Sequence, residues 1–212
     1  KRNGDRIIPG LHIFRLPGSP KNRNENLKGR PNMALHQETA YTIEDIYALP
    51  DGQRAELIDG RLYDMAPPNR IHQKLVNRLS QTITNHIDAK HGDCEVYPAP
   101  FAVFLNEDDR NYVEPDISII CDRDKLNDKW CNGAPDWIIE IVSPLTQQID
   151  YGIKLFKYRS AGVREYWIVN PGTRIVNVFD FEQDKESGQY SFDDEISACI
   201  CKDLRICISA LL

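Results

Sequence analysis

Two apolar segments near the middle of the chain each carry one acid, and no other feature of the sequence constrains the fold as strongly. The first segment, E-P-D-I-S-I-I, contains Asp116, and the second, D-W-I-I-E-I-V-S, contains Glu140. Short runs rich in Ile and Val are typical of buried strands. An ionised carboxylate beside buried aliphatic side chains is unfavourable unless it is paired or binds a metal. The two acids therefore predict a cation site on successive strands.

The chemistry of such a site follows from its donor atoms. If Asp116 and Glu140 lie side by side, their oxygens suit Mg²⁺ or Mn²⁺, and the backbone carbonyl of Ile141 is a natural further ligand. A bound ion lowers the pKa of a coordinated water and stabilises negative charge on a phosphodiester. Lys154 follows on a helical pattern, where its ammonium group would orient the attacking water or neutralise developing charge. Such an arrangement would suit the hydrolysis of a phosphodiester.

Length and charge narrow the class of protein. The chain has 212 residues, enough for one domain with a sizeable core. Its formal net charge of -6 disfavours binding of nucleic acid through the surface as a whole, so such a contact needs a local basic patch. No apolar run approaches the roughly 20 residues of a membrane-spanning helix. We therefore expect a cytoplasmic protein with no membrane partner.

Composition also divides the chain. Residues 1–32 are rich in basic residues, Pro, Gly and Asn, which predicts a leader, a flexible arm or added upstream sequence, followed by a domain at 33–212. No C-x-x-C pair or other zinc-ligand spacing is present, so all the cysteines are predicted to be buried free thiols. The six cysteines are Cys94, Cys121, Cys131, Cys199, Cys201 and Cys207.

Local patterns in the first half of the domain predict two helices around a hairpin. Thr42 is a suitable N-cap for a short helix that ends before Pro50. Asp59 and Gly60 lie between two apolar runs, and Asp-Gly in that position indicates a hairpin turn. Residues 69–90 place apolar side chains at helical spacing, which predicts the longest helix of the domain.

The second half alternates between strand and helix patterns. Ile149, Ile153 and Phe156 mark one face of a helix that ends near Gly162. Four segments have strand patterns: 113–121, 136–143, 163–170 and 174–181. This order predicts a single α/β domain with a mixed β-sheet flanked by helices.

The set of motifs resembles the PD-(D/E)xK phosphodiesterase superfamily, and more closely the Uma-type family of bacterial restriction endonucleases, long labelled a domain of unknown function. The likeness covers about residues 41–180, roughly two thirds of the chain. It is carried by A-E-L-I-D-G-R-L-Y-D-M-A-P-P, E-P-D-I-S-I-I, D-W-I-I-E-I-V-S-P and A-G-V-R-E-Y-W-I-V-N-P, together with His72, Asp150, Lys154 and Tyr158.

The resemblance implies a restriction-endonuclease-like fold and DNA as the substrate. It implies that Asp116 and Glu140 are metal ligands, that Lys154 is the catalytic lysine, and that Glu56 is an additional acid at the site. The superfamily commonly has its lysine two residues after the second acid, where this chain has Val142. The resemblance therefore implies that the lysine role has moved to Lys154.

Other interpretations of these residues stay open on the sequence alone. Asp116 is compatible with an acid at a strand start, Glu140 with a solvated strand face, and Glu56 with an outward hairpin residue. Lys157 lies one turn beyond Lys154, so either lysine could be the functional one. His72 and Gln73 fit a polar first turn of a helix, and Tyr158 fits helix packing.

Two classes of function compete. The first is a metal-dependent nuclease that hydrolyses DNA. The second is a catalytically silent domain of the same fold that binds nucleic acid or another protein, which the acidic net charge favours and the intact acid pair with Lys154 disfavours. A further class, a small-molecule enzyme that uses the same metal cleft, has no supporting motif. The sequence also allows a homodimer, because the apolar run I-V-N-V-F-D-F could supply a sheet edge for pairing.

Overall fold

The structure is a computed structural model that describes residues 40–144, 146–183 and 188–212. The leader predicted at 1–32 and the start of the domain predicted at 33 lie outside these residues. The α-helices in the described residues are α1 (Ile43–Tyr47), α2 (Arg70–Ala89) and α3 (Leu155–Ala161). The strands are β1 (Ala55–Ile58), β2 (Arg61–Asp64), β3 (Glu95–Pro98), β4 (Ala102–Phe104), β5 (Ile117–Ile120), β6 (Trp130–Asn132), β7 (Trp137–Ile141), β8 (Glu165–Asn170), β9 (Ile175–Asp180), β10 (Gly188–Ser191), β11 (Ile196–Ser197) and β12 (Arg205–Ile206).

The central element is a six-stranded mixed sheet with the order β10-β9-β8-β7-β5-β3. The two acid-bearing runs become β5 and β7, which are antiparallel neighbours. Strands β7 and β8 are parallel, and parallel neighbours need a crossover connection, which contains α3. The remaining pairs in this sheet are antiparallel. The α/β fold with a mixed sheet and flanking helices predicted from the sequence is thereby confirmed.

Alternate side chains of β7 enter two different cores, one on each face of the sheet. Trp137, Ile139 and Ile141 pack with the buried side chains of α2. Ile138 and Val142 pack in the second core, which also contains Tyr158 and Tyr166. Because Glu140 lies between Ile138 and Val142, its side chain points to the face that carries α3.

Helix α2 forms where the apolar spacing predicts it. Asn69 precedes its first turn, and the Asn69 side chain accepts hydrogen bonds from the backbone N–H groups of Ile71 (2.9 Å) and His72 (3.0 Å). These contacts satisfy two of the amides that a helix start leaves unpaired. One stripe of the helix is buried against the sheet: Leu75, Val76, Leu79, Ile83 and Ile87.

The hairpin predicted at Asp59 and Gly60 is also present. Strands β1 and β2 pair antiparallel on either side of these two residues, and both have positive φ, of 50° and 77°. Glycine tolerates that conformation readily and aspartate is among the few other residues that adopt it. Leu57 exchanges backbone hydrogen bonds with Tyr112 (2.7 and 2.8 Å), which fixes the hairpin beside the segment leading into β5.

The helix after β7 faces the opposite way from its apolar pattern. Residues 149–154 form a π-helical segment that continues directly into α3, which ends at Gly162 with φ 98°. Ile153 and Phe156 are 39% and 75% exposed, whereas Asp150, Lys154 and Tyr158 are buried. The helix is thus where the sequence predicts it, but the expected apolar face is turned to solvent. The charged side chains face inward because they pair with one another and with the sheet.

Two other expectations are corrected. The run I-V-N-V-F-D-F forms β9, which lies between β8 and β10 and is not a free edge for dimerisation. Cys94 and Cys121 form a disulfide, so these two cysteines are not free thiols. The register explains the pairing, because Glu95 faces Ile120 at the end of the β3–β5 ladder and the two cysteines flank that pair. Cys131, Cys199, Cys201 and Cys207 are free, as predicted.

All described residues belong to one compact unit. Among the helices of the described part of the chain, none combines the length and apolar character needed to cross a bilayer.

Candidate active site

The two acids singled out in the sequence lie next to each other at the ends of β5 and β7. Ile117 faces Ile139 in the ladder, so Asp116 and Glu140 occupy the next position of the two strands. The backbone N–H of Ile141 donates to Asp116 Oδ2 (2.8 Å), and the backbone N–H of Asp116 donates to Glu140 Oε2 (3.3 Å). The sheet itself therefore orients both carboxylates.

Lys154 lies within a group of three carboxylates. Its Nζ is 2.7 Å from Glu56 Oε2, 2.9 Å from Glu140 Oε1 and 3.7 Å from Asp150 Oδ1. The lysine side chain is 7% exposed, and those of its three partners are no more exposed than that. Strand β1 supplies Glu56, β7 supplies Glu140, and the π-helical segment supplies Asp150 and Lys154. Carboxylates from two strands and from the π-helical segment thus converge on one ammonium group.

Asp150, Lys154 and Tyr158 form one stripe that faces the site. From the sequence, only Lys154 of this stripe was predicted to be a site residue. These residues are spaced four apart and are all buried. The Tyr158 hydroxyl donates to Glu140 Oε1 (2.8 Å), which also accepts from Lys154. The regular polar spacing was a usable signal, but it competed with the apolar stripe of Ile149, Ile153 and Phe156 on the other side of the helix.

Burial and mutual charge set the electrostatics of the group. Burial has the largest effect on Glu140 and raises the pKa of its carboxyl well above its usual range, although the Lys154 ammonium acts in the opposite direction. Burial likewise raises the pKa of Asp150. For Lys154, burial opposes the charged form, but Glu140, Glu56 and Asp150 outweigh it and raise the ammonium pKa well above its usual range. Lys154 therefore stays protonated at neutral pH.

Tyr158 is held in its neutral form. Burial, followed by the charges of Glu140 and Glu56, raises the pKa of its hydroxyl well above its usual range. A neutral hydroxyl can donate to Glu140 at any ordinary pH, so Tyr158 fixes the orientation of that carboxylate.

His72 also lies beside the acids, although its position in the sequence fits an ordinary polar first turn of a helix. Its Nε2 is 3.0 Å from Asp116 Oδ2, and its side chain is 14% exposed. Its Nδ1 is buried without a hydrogen-bond partner among the described residues. An unpaired lone pair costs less than an unpaired N–H, so we assign the proton to Nε2, which then donates to Asp116. No local signal marks this role, because the contact joins residues 44 positions apart.

Lys157 has a different partner from Lys154. Its Nζ is 2.6 Å from Asp59 Oδ1, at the turn of the hairpin. It thereby ties α3 to the tip of the β1–β2 hairpin. Of the two lysines left open by the sequence, the structure places Lys154 with the acids and Lys157 away from them.

The acids and Lys154 line a cleft of about 550 Å³. Much of its lining is apolar and rich in proline, and its polar lining includes residues at the start of α2. The apolar lining consists of Tyr63, Met65, Ala66, Pro67, Pro68, Ala99, Pro100, Ile141, Pro144 and Ile149.

The donor atoms at the base of the cleft suit a hard divalent cation. In the described residues no three His, Cys, Asp or Glu side chains converge as a ready metal cage. Mg²⁺ does not need one, since it commonly takes one or two carboxylates and completes its shell with waters and substrate phosphates. The backbone-oriented pair Asp116 and Glu140 meets that requirement. Glu56 instead contacts Lys154 and the backbone N–H of Glu114 (3.0 Å).

The chain is similar to known proteins in sequence and in fold. Residues 43–201 match the family model Uma2, described as "Putative restriction endonuclease". An uncharacterized protein of Synechocystis sp., slr1290, is 28% identical over 134 residues, which are 62% of this chain and 68% of that protein. A crystal structure of "a putative nuclease belonging to DUF820" from Anabaena variabilis matches with a TM-score of 0.66 and 19% identity, over 80% of this chain and 96% of that one. The solved structure supports the fold alone.

Proposed function

The chain belongs to the Uma2 family of restriction-endonuclease-type proteins, and from this premise we propose that it is a metal-dependent endonuclease that hydrolyses phosphodiester bonds of DNA. One observation carries the proposal. A buried, protonated lysine contacts Glu140 and Glu56 directly beside Asp116, at the base of an open cleft. Buried ion pairs contribute little net stability, so their concentration at a cleft is better explained by chemistry than by folding.

Asp116 and Glu140 would hold Mg²⁺ or Mn²⁺, with the backbone carbonyl of Ile141 as a further ligand. Glu56, whose two oxygens accept from Lys154 and from the backbone N–H of Glu114, would assist the metal or its bound water. When bound, the ion would lower the pKa of a water and offset negative charge on the phosphate. The remaining tasks belong to side chains of this chain. Lys154 supplies a fixed positive charge and hydrogen-bond donor at the same place.

The neighbours of the acids keep them in position. Tyr158 donates to Glu140, and the backbone N–H of Ile141 donates to Asp116, as does His72 Nε2. With these contacts the oxygens need little rearrangement on ligand binding, which is the usual condition for electrostatic catalysis. DNA as the substrate rests on the family resemblance.

A second function, a catalytically silent binding module, is supported by the same ion-pair group. Glu140 Oε1 already accepts from both Lys154 and Tyr158. A purely structural network of buried polar side chains would also have its hydrogen bonds satisfied in this way. The two functions differ in metal binding, since a structural network has no need of a divalent ion.

Metal binding and cleavage by matched variants test the proposal. Calorimetry with Mg²⁺ and Mn²⁺ is followed by nicking of supercoiled plasmid, using the native chain, Asp116→Ala, Asp116→Asn and the exposed control Asp128→Ala. We expect the native chain and the control to bind metal and nick, and both Asp116 variants to do neither. Asp116→Asn keeps an acceptor oxygen for the backbone N–H of Ile141, so it should retain most of the native melting temperature. No metal binding by the native chain at millimolar concentration would support the silent module.

Two further expectations accompany this function. A cytoplasmic location and a homodimer stay predictions, and the dimer has lost its expected edge at β9. The free edges of the central sheet in the described residues are β3 and β10. Light scattering of the purified chain across a concentration series measures the oligomeric state directly.

A further inference from the structure

Positive charge in the cleft is concentrated in two residues. Among the described residues that line it, only Arg54 and Lys154 carry a permanent positive charge. Lys154 is 7% exposed and is already surrounded by three carboxylates. The Arg54 side chain is 43% exposed. A phosphate that enters the cleft therefore meets the guanidinium of Arg54 before it meets any other fixed cation of these residues.

The Arg54 guanidinium is held in place along one edge. Its Nε donates to Glu114 Oε2 (3.0 Å), and its Nη2 contacts the same oxygen. Glu114 is fixed in turn, because the Tyr112 hydroxyl donates to its other carboxylate oxygen (2.5 Å) and its backbone N–H donates to Glu56 Oε1 (3.0 Å). Within the described residues Nη1 has no hydrogen-bond partner. A clamped guanidinium with one free edge is preorganised to bind an oxyanion.

The strand geometry sets the distance between Arg54 and the acids. Arg54 continues the β1–β2 ladder, since its carbonyl accepts from the backbone N–H of Met65 (2.9 Å). Residues two apart on a strand project from the same face, about 7 Å apart. Arg54 and Glu56 are such a pair, and Glu56 contacts Lys154. Arg54 thus lies about 7 Å from Glu56 along the strand, nearer to solvent than the ion-pair group. At that distance it would not contact the phosphate that reacts beside Lys154.

This spacing assigns a role to Arg54 that rests on the proposed nuclease function. We propose that Arg54 binds the phosphate adjacent to the one that is cleaved. The substrate is then an internal stretch of a polynucleotide strand, with at least two consecutive charged phosphates, and not a mononucleotide or an isolated terminal phosphate. Glu114 acts as a positioning residue that aims the guanidinium into the cleft.

The competing explanation is that Arg54 merely neutralises Glu114, whose side chain is 11% exposed. Arg54→Ala alone does not separate the two, because it leaves the Glu114 carboxylate without its cation. The double variant Arg54→Ala/Glu114→Gln removes the charge on both sides. Arg174→Ala is a matched control, since Arg174 is also about half exposed (51%) and paired with one acid, Asp193 (3.4 Å), but does not line the cleft.

The test uses binding as its readout. Two fluorescein-labelled thymidine oligonucleotides carry neutral methylphosphonate linkages at all positions except a single phosphodiester in one probe and two consecutive phosphodiesters in the other. Fluorescence anisotropy is measured with Ca²⁺ in place of Mg²⁺. We expect the native chain and Arg174→Ala to bind the two-phosphate probe about tenfold more tightly than the one-phosphate probe, which is the effect of one charge-assisted hydrogen-bonded contact.

The double variant decides the outcome. We expect it to bind both probes equally, at a melting temperature within a few degrees of the native value. If it retains the tenfold preference, or if Arg174→Ala loses it, the assignment of Arg54 is wrong. Cleavage of the same probes with Mg²⁺ is scored separately, so that an inactive native chain contradicts the proposed nuclease function without affecting the binding result.

Discussion

Lys154 is the residue on which the energetics of the site depend. Among the residues that the structure describes, it is the one cation in contact with Glu56, Glu140 and Asp150, all of them buried. Removing one member of a buried ion pair leaves an uncompensated charge, which costs far more than the pair contributes as a whole. The same side chain is therefore needed both to fold the cleft and, under the proposed function, to stabilise charge there.

Lys154→Met is expected to lower the free energy of unfolding by about 3 kcal/mol and to abolish nicking. Urea denaturation and the plasmid assay measure the two effects. The control is Lys157→Met, since Lys157 is also buried but pairs with Asp59, whose side chain is 67% exposed. We expect that control to keep its activity. An inactive Lys157→Met beside an active Lys154→Met would reverse the assignment of the functional lysine.

Asp150 provides a pH test of the same group. Burial raises the pKa of its carboxyl in the folded chain above its ordinary value of 3.8. The folded state then holds the proton more tightly than the unfolded state, so the stability from this group is fully present below about pH 3.8 and is lost as pH rises through the folded pKa. Asp150→Asn cannot titrate and avoids that loss.

We therefore expect Asp150→Asn to melt a few degrees higher than the native chain near pH 7, with the difference closing as the pH falls towards about 4. Thermal melts across that range give the comparison, with the exposed Asp128→Asn as control. A variant that is less stable at neutral pH would show that the ion pair with Lys154 outweighs the burial of Asp150.

At the scale of elements, local sequence patterns were sufficient to predict a helix or hairpin wherever the apolar side chains are the buried ones. Helix α2 and the hairpin at Asp59 were predictable because spacing and turn chemistry are encoded within a few residues. Asp116 and Glu140 were predictable because an acid in an apolar strand is anomalous. The contacts of His72 with Asp116 and of Glu56 with Lys154 could not be predicted, because each joins residues that are far apart in the sequence and meet only in the folded chain.

Helix α3 shows where periodicity fails. The exposed side of α3 and of the π-helical segment before it carries Ile153 and Phe156, and the buried side carries Lys154 and Tyr158. A hydrophobic stripe normally marks the core face, but here the inward face is set by the acids of β1 and β7. The buried charges reverse the ordinary amphipathic rule, so the apolar pattern locates the helix but predicts the wrong orientation.

This orientation predicts an unusual pair of mutational effects. Phe156→Ala should change the free energy of unfolding by no more than about 0.5 kcal/mol, because Phe156 is 75% exposed. Tyr166→Ala should cost about 3 to 5 kcal/mol, because Tyr166 is fully buried in the core that faces α3. Chemical denaturation of both variants measures this. A large loss in Phe156→Ala would mean that another surface covers that helix face.

At the scale of the whole molecule, the site lies where the parallel connection between β7 and β8 meets the hairpin. Position 142, two residues after Glu140, is on the same face of β7 and is occupied by Val142 in the second core. The crossover connection instead brings Lys154, in the π-helical segment that leads into α3, to Glu140. Under the proposed function, Lys154 would take the role that the superfamily gives to a lysine at that position.

The disulfide is the other long-range feature of the molecule, and local sequence gave no sign of it. It joins Cys94 and Cys121, 27 residues apart, across the β3–β5 ladder at one edge of the central sheet. Closing a loop of that length restricts the unfolded chain and stabilises the fold by about 3 to 4 kcal/mol. Cystines persist in oxidising compartments and are rare in the cytosol, so the state of this pair also tests the predicted cytoplasmic location.

Reduction is therefore expected to lower the melting temperature by about ten degrees. The double variant Cys94→Ala/Cys121→Ala should start at the lower temperature and be insensitive to reductant. Thiol titration of the denatured chain should find the four free cysteines before reduction and all six after it. Six reactive thiols without reductant, together with an unchanged melting temperature on reduction, would contradict the bond. That result would restore the expectation of free thiols. It would also remove the conflict with a cytosolic location, because that conflict arises only from the disulfide.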